Sequence, residues 1–257
     1  MKANSSALIL AFFLFASCSN QATINAVGQQ LAAKKARIES STTDILRDAE
    51  NALAELQKAS PQMGVDGLLE LAKTIRSTAE TIDRRGKDTD LLTEDLRGFM
   101  KEHDALREDL KLAAMNRELQ ELSDRRRHAL IRFSSASSSI RYSRGSIVAR
   151  SEWQPLELKV SKGDRLIVSA SGEWSVGPGA GSCSASGMDG YDKYSLLDEY
   201  KHGALLVAVD QKPAFSGQGS FSLSDSGDVS CRCNDSDYRN NDGALTVGVL
   251  AYTMPSR

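Results

Sequence analysis

Histidine is scarce in this chain: His103, His128 and His202 are the 3 present among 257 residues. None stands near a serine or cysteine in a recognisable nucleophile motif, and no spacing among the acidic residues marks a hydrolase pair. The chain is therefore expected not to be an enzyme. Cysteine is scarce too, at 4 residues. Cys231 and Cys233 form a lone Cys-x-Cys with no second pair at zinc-like spacing, which argues against a structural zinc site. Charge of one sign is lacking: 32 basic and 34 acidic residues leave a formal net charge of −2. That balance gives no global pull toward nucleic acid, and no such partner is expected. Long apolar runs are missing as well. The longest, Ala7 to Ala16, is too short to cross a bilayer but suits the core of a signal peptide after the basic Lys2.

Aromatics and proline are almost absent from the first half. Between residues 19 and 132 there is one aromatic, Phe99, and one proline, Pro61, whereas 13 of the 19 glycines and both tryptophans follow residue 150. This break predicts two unlike domains. Residues 1–17 read as a signal peptide, 18–133 as a helical coiled-coil region, 134–146 as a serine-rich linker and 147–257 as a β-domain. Leu14-Phe15-Ala16-Ser17-Cys18 resembles a bacterial lipobox, with Phe15 where an aliphatic residue is more usual. That resemblance implies cleavage before Cys18 and its acylation, giving membrane attachment through a lipid anchor. Ser19, rather than aspartate, implies the outer membrane if the organism is Gram-negative. The alternative is an ordinary signal peptide cut near residues 17–20. Outside the cytoplasm a disulfide is expected. Cys231 and Cys233 are expected on opposite faces of a strand, so that one of them meets Cys183.

Leu31, Lys35, Ile38, Thr42, Ile45, Ala49, Ala52 and Leu56 alternate in steps of four and three, a heptad seam interrupted by Lys35 and Thr42. Pro61 and Gly64 are expected to end this helix. Leu68, Ala72, Ile75, Ala79 and Ile82 continue the spacing in a second, and Arg85-Gly86-Lys87-Asp88 is expected to turn. Leu92, Leu96, Phe99, Leu106 and Leu110 open a third helix, interrupted by His103. The seam then shifts to Leu112, Met115, Leu119, Leu122, Ala129 and Phe133, which reads as a stutter or a change of packing partner. Arg125-Arg126-Arg127-His128 reads as a solvated helix face. The helices fold into an antiparallel hairpin or bundle, or else pair between chains as a homo-oligomer.

The second half alternates like strands. Leu156-Glu157-Leu158-Lys159-Val160 is followed by a turn at Ser161–Asp164 and a strand at Arg165–Gly172. Gly203–Val209 is continuously apolar, as a strand covered on both faces would be. The expected fold class is therefore α+β in separate domains, with the helices followed by an all-β, jelly-roll-like sandwich. Near the end, Asn234-Asp235-Ser236-Asp237-Tyr238-Arg239-Asn240-Asn241-Asp242-Gly243 concentrates hard oxygen ligands of the kind that suit Ca²⁺. The same residue types also dominate plain turns.

Four segments in order resemble the PA-I-type (PA-IL-like) galactose-binding bacterial lectins. They are Lys162–Gly172, Gly177-Pro178, Gly203–Val207 and Tyr238–Val247. The helical half lies outside this resemblance. It implies a calcium ion that directly binds two sugar hydroxyls. By position, Asp235 gives a carboxylate, Asn240 and Asn241 give side-chain oxygens, and Asp237 and Val176 give backbone carbonyls. Asp235 and Asn240 would also hydrogen-bond the sugar. The segment between Asp235 and Tyr238 is two residues shorter than the family pattern. The family's galactose-contacting His and Gln are replaced by the stretch around Gly190–Lys193, so galactose specificity does not carry over. Tyr191 and Tyr194 are candidates to stack on a sugar face. The resulting expectation is a lipid-anchored, calcium-dependent carbohydrate binder, its helices serving as spacer or oligomerisation unit. The alternative is a structural or interaction lipoprotein whose helices dock an envelope partner and whose β-domain has lost sugar binding.

Overall fold

A computed structural model describes residues 21–254 with their side chains. The expected leader, 1–17, and the expected acylation site, Cys18, fall outside these described residues. Among the described residues three α-helices, α1 (Ser5–Gln57), α2 (Gly64–Glu102) and α3 (Leu112–Ser139), precede eleven strands.

The heptad seam of α1 is buried: Leu31, Ile38, Ile45, Ala49, Ala52 and Leu56 are at most 7% exposed. Pro61 cannot continue a helix because it lacks an N–H, and Ser60 before it is extended (φ −149°, ψ 158°). A single 3-10 turn, Pro61–Met63, connects α1 to α2.

The turn expected at residues 85–88 is absent: that stretch is the middle of α2. A Cβ at Gly86 would sit 3.4 Å from Leu130 Cδ1, so glycine serves close helix packing there. Lys87 pairs with Asp83 at 2.7 Å across one helical turn. The chain turns instead after Glu102. The His103 ring closes on the Phe99 carbonyl at 2.9 Å, a 3-10 turn spans Asp104–Leu106, and Lys111 takes φ 50°. The seam shift between Leu110 and Leu112 is this corner and not a stutter within one helix.

The chain divides into two compact units, residues 1–49 with 81–130, and residues 50–80 with 131–257. In the first, Val27, Leu31, Ile38, Leu96, Met100, Leu112 and Leu119 form an apolar core. Beside it lies a polar layer. Arg126, expected on a solvated face, is 2% exposed; it donates to Thr42 Oγ1 at 3.3 Å and pairs with Asp90. The heptad break at Thr42 thus meets a buried guanidinium, which accounts for a polar residue inside the seam.

The second unit holds the strands β1 (Arg141–Val148), β2 (Gln154–Val160), β3 (Arg165–Ser171), β4 (Trp174–Ser175), β5 (Ser182–Cys183), β6 (Ser186–Met188), β7 (His202–Val209), β8 (Lys212–Ser216), β9 (Gly219–Ser222), β10 (Gly227–Cys233) and β11 (Asp242–Tyr252). They form two antiparallel sheets. One runs β5-β4-β11-β3-β9 with β1 also on β11; the other runs β2-β10-β7-β6 with β8 also on β7. Strand β7 is buried along its whole length, as its apolar run predicts.

Residues 134–146, expected as a linker, are the end of α3 and most of β1. The hydroxyls of Ser137, Ser138 and Ser139 donate to carbonyls three residues back, which holds the serine run in helix. Arg141 onward pairs in register with β11 from Ala251. The helix ends that belong to this unit pack on its sheet. Tyr142 Oη donates to the Val65 carbonyl at 2.9 Å, and Tyr252 Oη donates to that of Leu56 at 3.2 Å. The compositional break near residue 140 therefore marks a change from helix to strand and not the edge of a compact unit.

Cys183, Cys231 and Cys233 are free and buried, so the expected disulfide is not present. Residues two apart on a strand share a face. Cys231 and Cys233 accordingly both enter the sandwich core, correcting the expectation of opposite faces. Burial pushes the Cys231 thiol up to about 12, so it carries almost no thiolate at neutral pH. Iodoacetamide at pH 8 should leave Cys231 unmodified in the folded protein and alkylate it rapidly in denaturant. Fast native-state labelling of Cys231 would contradict its placement.

Candidate functional site

Three loops and one strand end meet at the same edge of the sandwich. The first loop follows β4. Val176 is buried, and Gly177 (φ 122°) and Gly179 (φ 84°) take backbone conformations that side chains resist. A Cβ on Gly177 would approach Asn240 Oδ1 to 3.0 Å, so the turn packs directly against that amide. The second loop, 189–201, contains a 3-10 turn at Asp192–Tyr194 and presents Tyr191 and Tyr194. The third, 234–241, runs between β10 and β11 with a 3-10 turn at Tyr238–Asn240. His202 opens β7 between them.

Two polar residues lock the second loop to the third. Asn234 is fully buried. Its amide nitrogen donates to the carbonyls of Leu197, Tyr200 and Lys201 at 3.0, 2.9 and 3.0 Å, and its Oδ1 accepts the Leu197 N–H at 2.9 Å. Ser236 donates to the Tyr194 carbonyl through both its N–H (2.9 Å) and its hydroxyl (2.8 Å). Arg232 fixes the start of the third loop. Its guanidinium lies over the rings of Trp153 (5.7 Å) and Tyr238 (5.2 Å) and donates to the carbonyls of Cys233 (3.2 Å) and Asp235 (3.0 Å).

The result is a cleft of about 370 Å³ lined by Val176, Gly177–Ala180, Tyr191, Tyr194, His202, Asp235, Asp237 and Asn240. Six of the seven residues singled out from the sequence, Val176, Asp235, Asp237, Asn240, Tyr191 and Tyr194, thus share one cavity. Asn241 does not line it. It is buried behind, donating through its amide nitrogen toward the Ala149 carbonyl (3.4 Å) and Cys233 Sγ (3.7 Å).

The electrostatics of the cleft are unbalanced. Asp235 is 2% exposed. One carboxylate oxygen accepts the Asp237 N–H at 2.9 Å, and the other lies 3.9 Å from His202 Nε2. Among the described residues no lysine or arginine reaches its carboxylate. Asn241 Oδ1 is buried with no hydrogen-bond partner. Asp237 Oδ2 accepts from the Asn240 amide nitrogen at 3.0 Å, which leaves Asn240 Oδ1 facing the Gly177 turn. A buried carboxylate without a cation and a buried amide oxygen without a donor are each costly in a folded protein. Both costs would be offset by a hard cation. Among the described residues no group of three or more His, Cys, Asp or Glu side chains is placed to hold a metal. The oxygens here come from one buried carboxylate, amides and backbone carbonyls, a donor set that fits Ca²⁺ and not zinc.

His202, one of the three histidines, also lines the cleft. Its membership of the cleft has no local signal in the sequence. It comes from the pairing of β7 with β10, where Cys233 opposes Leu205 and the Gly203 N–H bonds the Asn234 carbonyl at 2.9 Å. Those contacts set His202 beside Asp235.

The chain matches no protein-family model and no curated protein. Among solved structures, the EclA N-terminal domain, a PllA-like lectin, is similar to 44% of this chain and 98% of its own length, at 17% identity and a TM-score of 0.36.

Proposed function

We propose that this chain binds carbohydrate through a calcium ion held in the cleft by Asp235, Asn240 and the backbone carbonyls of Val176 and Asp237, with Asn241 Oδ1 meeting the ion from behind the cleft lining. The observation that carries this reading is a pair of buried oxygen groups, the Asp235 carboxylate, which no lysine or arginine among the described residues pairs with, and Asn241 Oδ1, which accepts no hydrogen bond. When bound, the ion would supply a Lewis-acidic centre for two neighbouring hydroxyls of a sugar. The residues of the chain do the rest. The Asn234 and Ser236 hydrogen bonds hold the tyrosine loop against the acidic loop before any ligand arrives, so little ordering cost remains on binding. Tyr191 and Tyr194, 37% and 48% exposed, offer flat apolar faces to the sugar ring. The role is one of binding and not catalysis, with acylation of Cys18 anchoring the chain to the cell envelope and the helices carrying the β-domain.

Thermal unfolding of the full chain tests the reading. A ligand at 100 times its Kd stabilises by about 2.7 kcal/mol, which raises the Tm of a chain this size by roughly 5–10 °C. Calcium should give such a rise, and chelator should reverse it. Asp235→Ala with Asn240→Ala should abolish it. An unchanged rise in the double variant would place calcium elsewhere. Retention on immobilised sugars only in calcium tests the second half of the proposal.

A further inference from the structure

His202 has no role in the cation shell proposed above, yet its placement is that of a ligand-reading group. It is 2% exposed and lines the cleft. Its Nδ1 is buried with no partner. Its ring is held by Tyr191, stacked at 5.9 Å and 30°, and by Tyr194, tilted at 6.3 Å and 58°. Its Nε2 lies 3.9 Å from Asp235 Oδ2, too far for a direct hydrogen bond.

The tautomer follows from these contacts. An orphaned buried N–H costs more than an under-used acceptor, so the ring proton belongs on Nε2, which has the Asp235 carboxylate before it. A donor and an acceptor 3.9 Å apart leave room for one oxygen about 2.8 Å from each, subtending close to a right angle. A hydroxyl suits that position: it accepts from Nε2–H and donates to Oδ2. An ether oxygen has no proton to donate, and a CH₂ satisfies neither partner.

We infer that His202 and Asp235 form a hydroxyl-reading subsite, in which one free hydroxyl of the sugar bridges His202 Nε2 and Asp235 Oδ2. This rests on the carbohydrate-binding reading and deepens it. The ligand class becomes a glycoside with a third free hydroxyl next to the cation-bound pair, unsubstituted at that oxygen. The two tyrosines keep the imidazole in place, so the subsite exists before the sugar arrives.

Calorimetric titration of the full chain in excess calcium tests this. The probes are the methyl glycosides of galactose, mannose, glucose and fucose, followed by the monodeoxy and mono-O-methyl derivatives of whichever binds. Wild type should lose about 10- to 100-fold in affinity for the derivatives altered at one hydroxyl. In His202→Phe, which keeps the ring and loses the donor, the parent glycoside should weaken while that positional penalty vanishes. His202→Gln, which returns an amide donor, should restore part of the penalty. The calcium-linked Tm rise should persist in His202→Phe, showing that fold and cation site are intact. Equal affinity of wild type and His202→Phe for the parent, or a penalty that survives in His202→Phe, would overturn the inference. Calcium stabilisation with no glycoside bound would overturn it while leaving the cation reading standing. No calcium effect would overturn both.

Discussion

Trp174→Ala is expected to lower the stability of the β-sandwich by about 3–5 kcal/mol, the range for emptying a buried aromatic site. Trp174 is 1% exposed and packs in the core with Val176, Cys183 and Leu205. Its indole N–H donates to the Gly203 carbonyl at 2.7 Å, so truncation opens a cavity and also weakens satisfaction of a buried acceptor. Little could fill the gap. Gly203 sits at φ 71°, and a Cβ there would already meet Val176 Cγ1 at 2.7 Å and Cys183 Sγ at 2.8 Å. Denaturant unfolding followed by tryptophan fluorescence measures the loss, because Trp153 remains in the same unit to report it. Trp174→Phe should cost less, having lost the hydrogen bond but kept most of the volume. The residue also precedes the Val176–Ala180 turn, so the alanine variant should lose the calcium-linked Tm rise as well. A loss below about 1 kcal/mol would mean that the indole is not a core element.

Asp164→Ala is the second large effect. Asp164 is fully buried. Its carboxylate accepts from Arg141 Nη2 at 2.5 Å, the Ser161 N–H at 2.6 Å and Thr253 Oγ1 at 2.6 Å. One side chain thus ties the first residue of β1, the turn between β2 and β3, and the residue just after β11. Removing one partner of a buried ion pair costs about 3–5 kcal/mol, because the remaining groups stay desolvated and unpaired. Arg141 is about one-third exposed and regains water, which places the expected loss near the lower end. Arg141→Ala should cost more than an exposed ion pair, because it leaves the Asp164 carboxylate buried with only neutral donors. Denaturant midpoints of the two single variants and the double variant measure the coupling. Additive losses would show that the pair does not act as a unit.

These expectations draw on features of unequal visibility in the sequence. The α1 seam was legible because burial of one helix face requires apolar residues every three or four positions, and the seam residues from Leu31 to Leu56 other than Lys35 are buried as that period demands. Residues 85–88 misled because glycine is ambiguous: it ends helices, and it also allows two helices to approach, as Gly86 does against Leu130. The serine run at 134–139 misled in the same way. Serine favours flexible linkers, yet its hydroxyl can bond a helix carbonyl three residues back. The acidic loop was legible as a cluster of oxygen ligands. Which oxygens lacked partners was not, since the Asn241 amide is engaged by the Ala149 carbonyl, 92 residues earlier in the chain.

By itself the sequence determined the order of helix and strand, the seam that buries α1, the doubly covered strand β7, and the residue types around Asp235 that suit a hard cation. Each follows from local periodicity or from the chemistry of a few adjacent side chains. The tertiary structure alone decided that the three thiols stay unpaired, that Arg126 is buried, that the helix ends at 50–80 and 131–139 belong with the sandwich, and that His202 faces Asp235 across 3.9 Å. The physical reason is common to all four. Burial and pairing depend on which strands and helices become neighbours, and that is fixed by long-range packing whose partners lie tens of residues away along the chain.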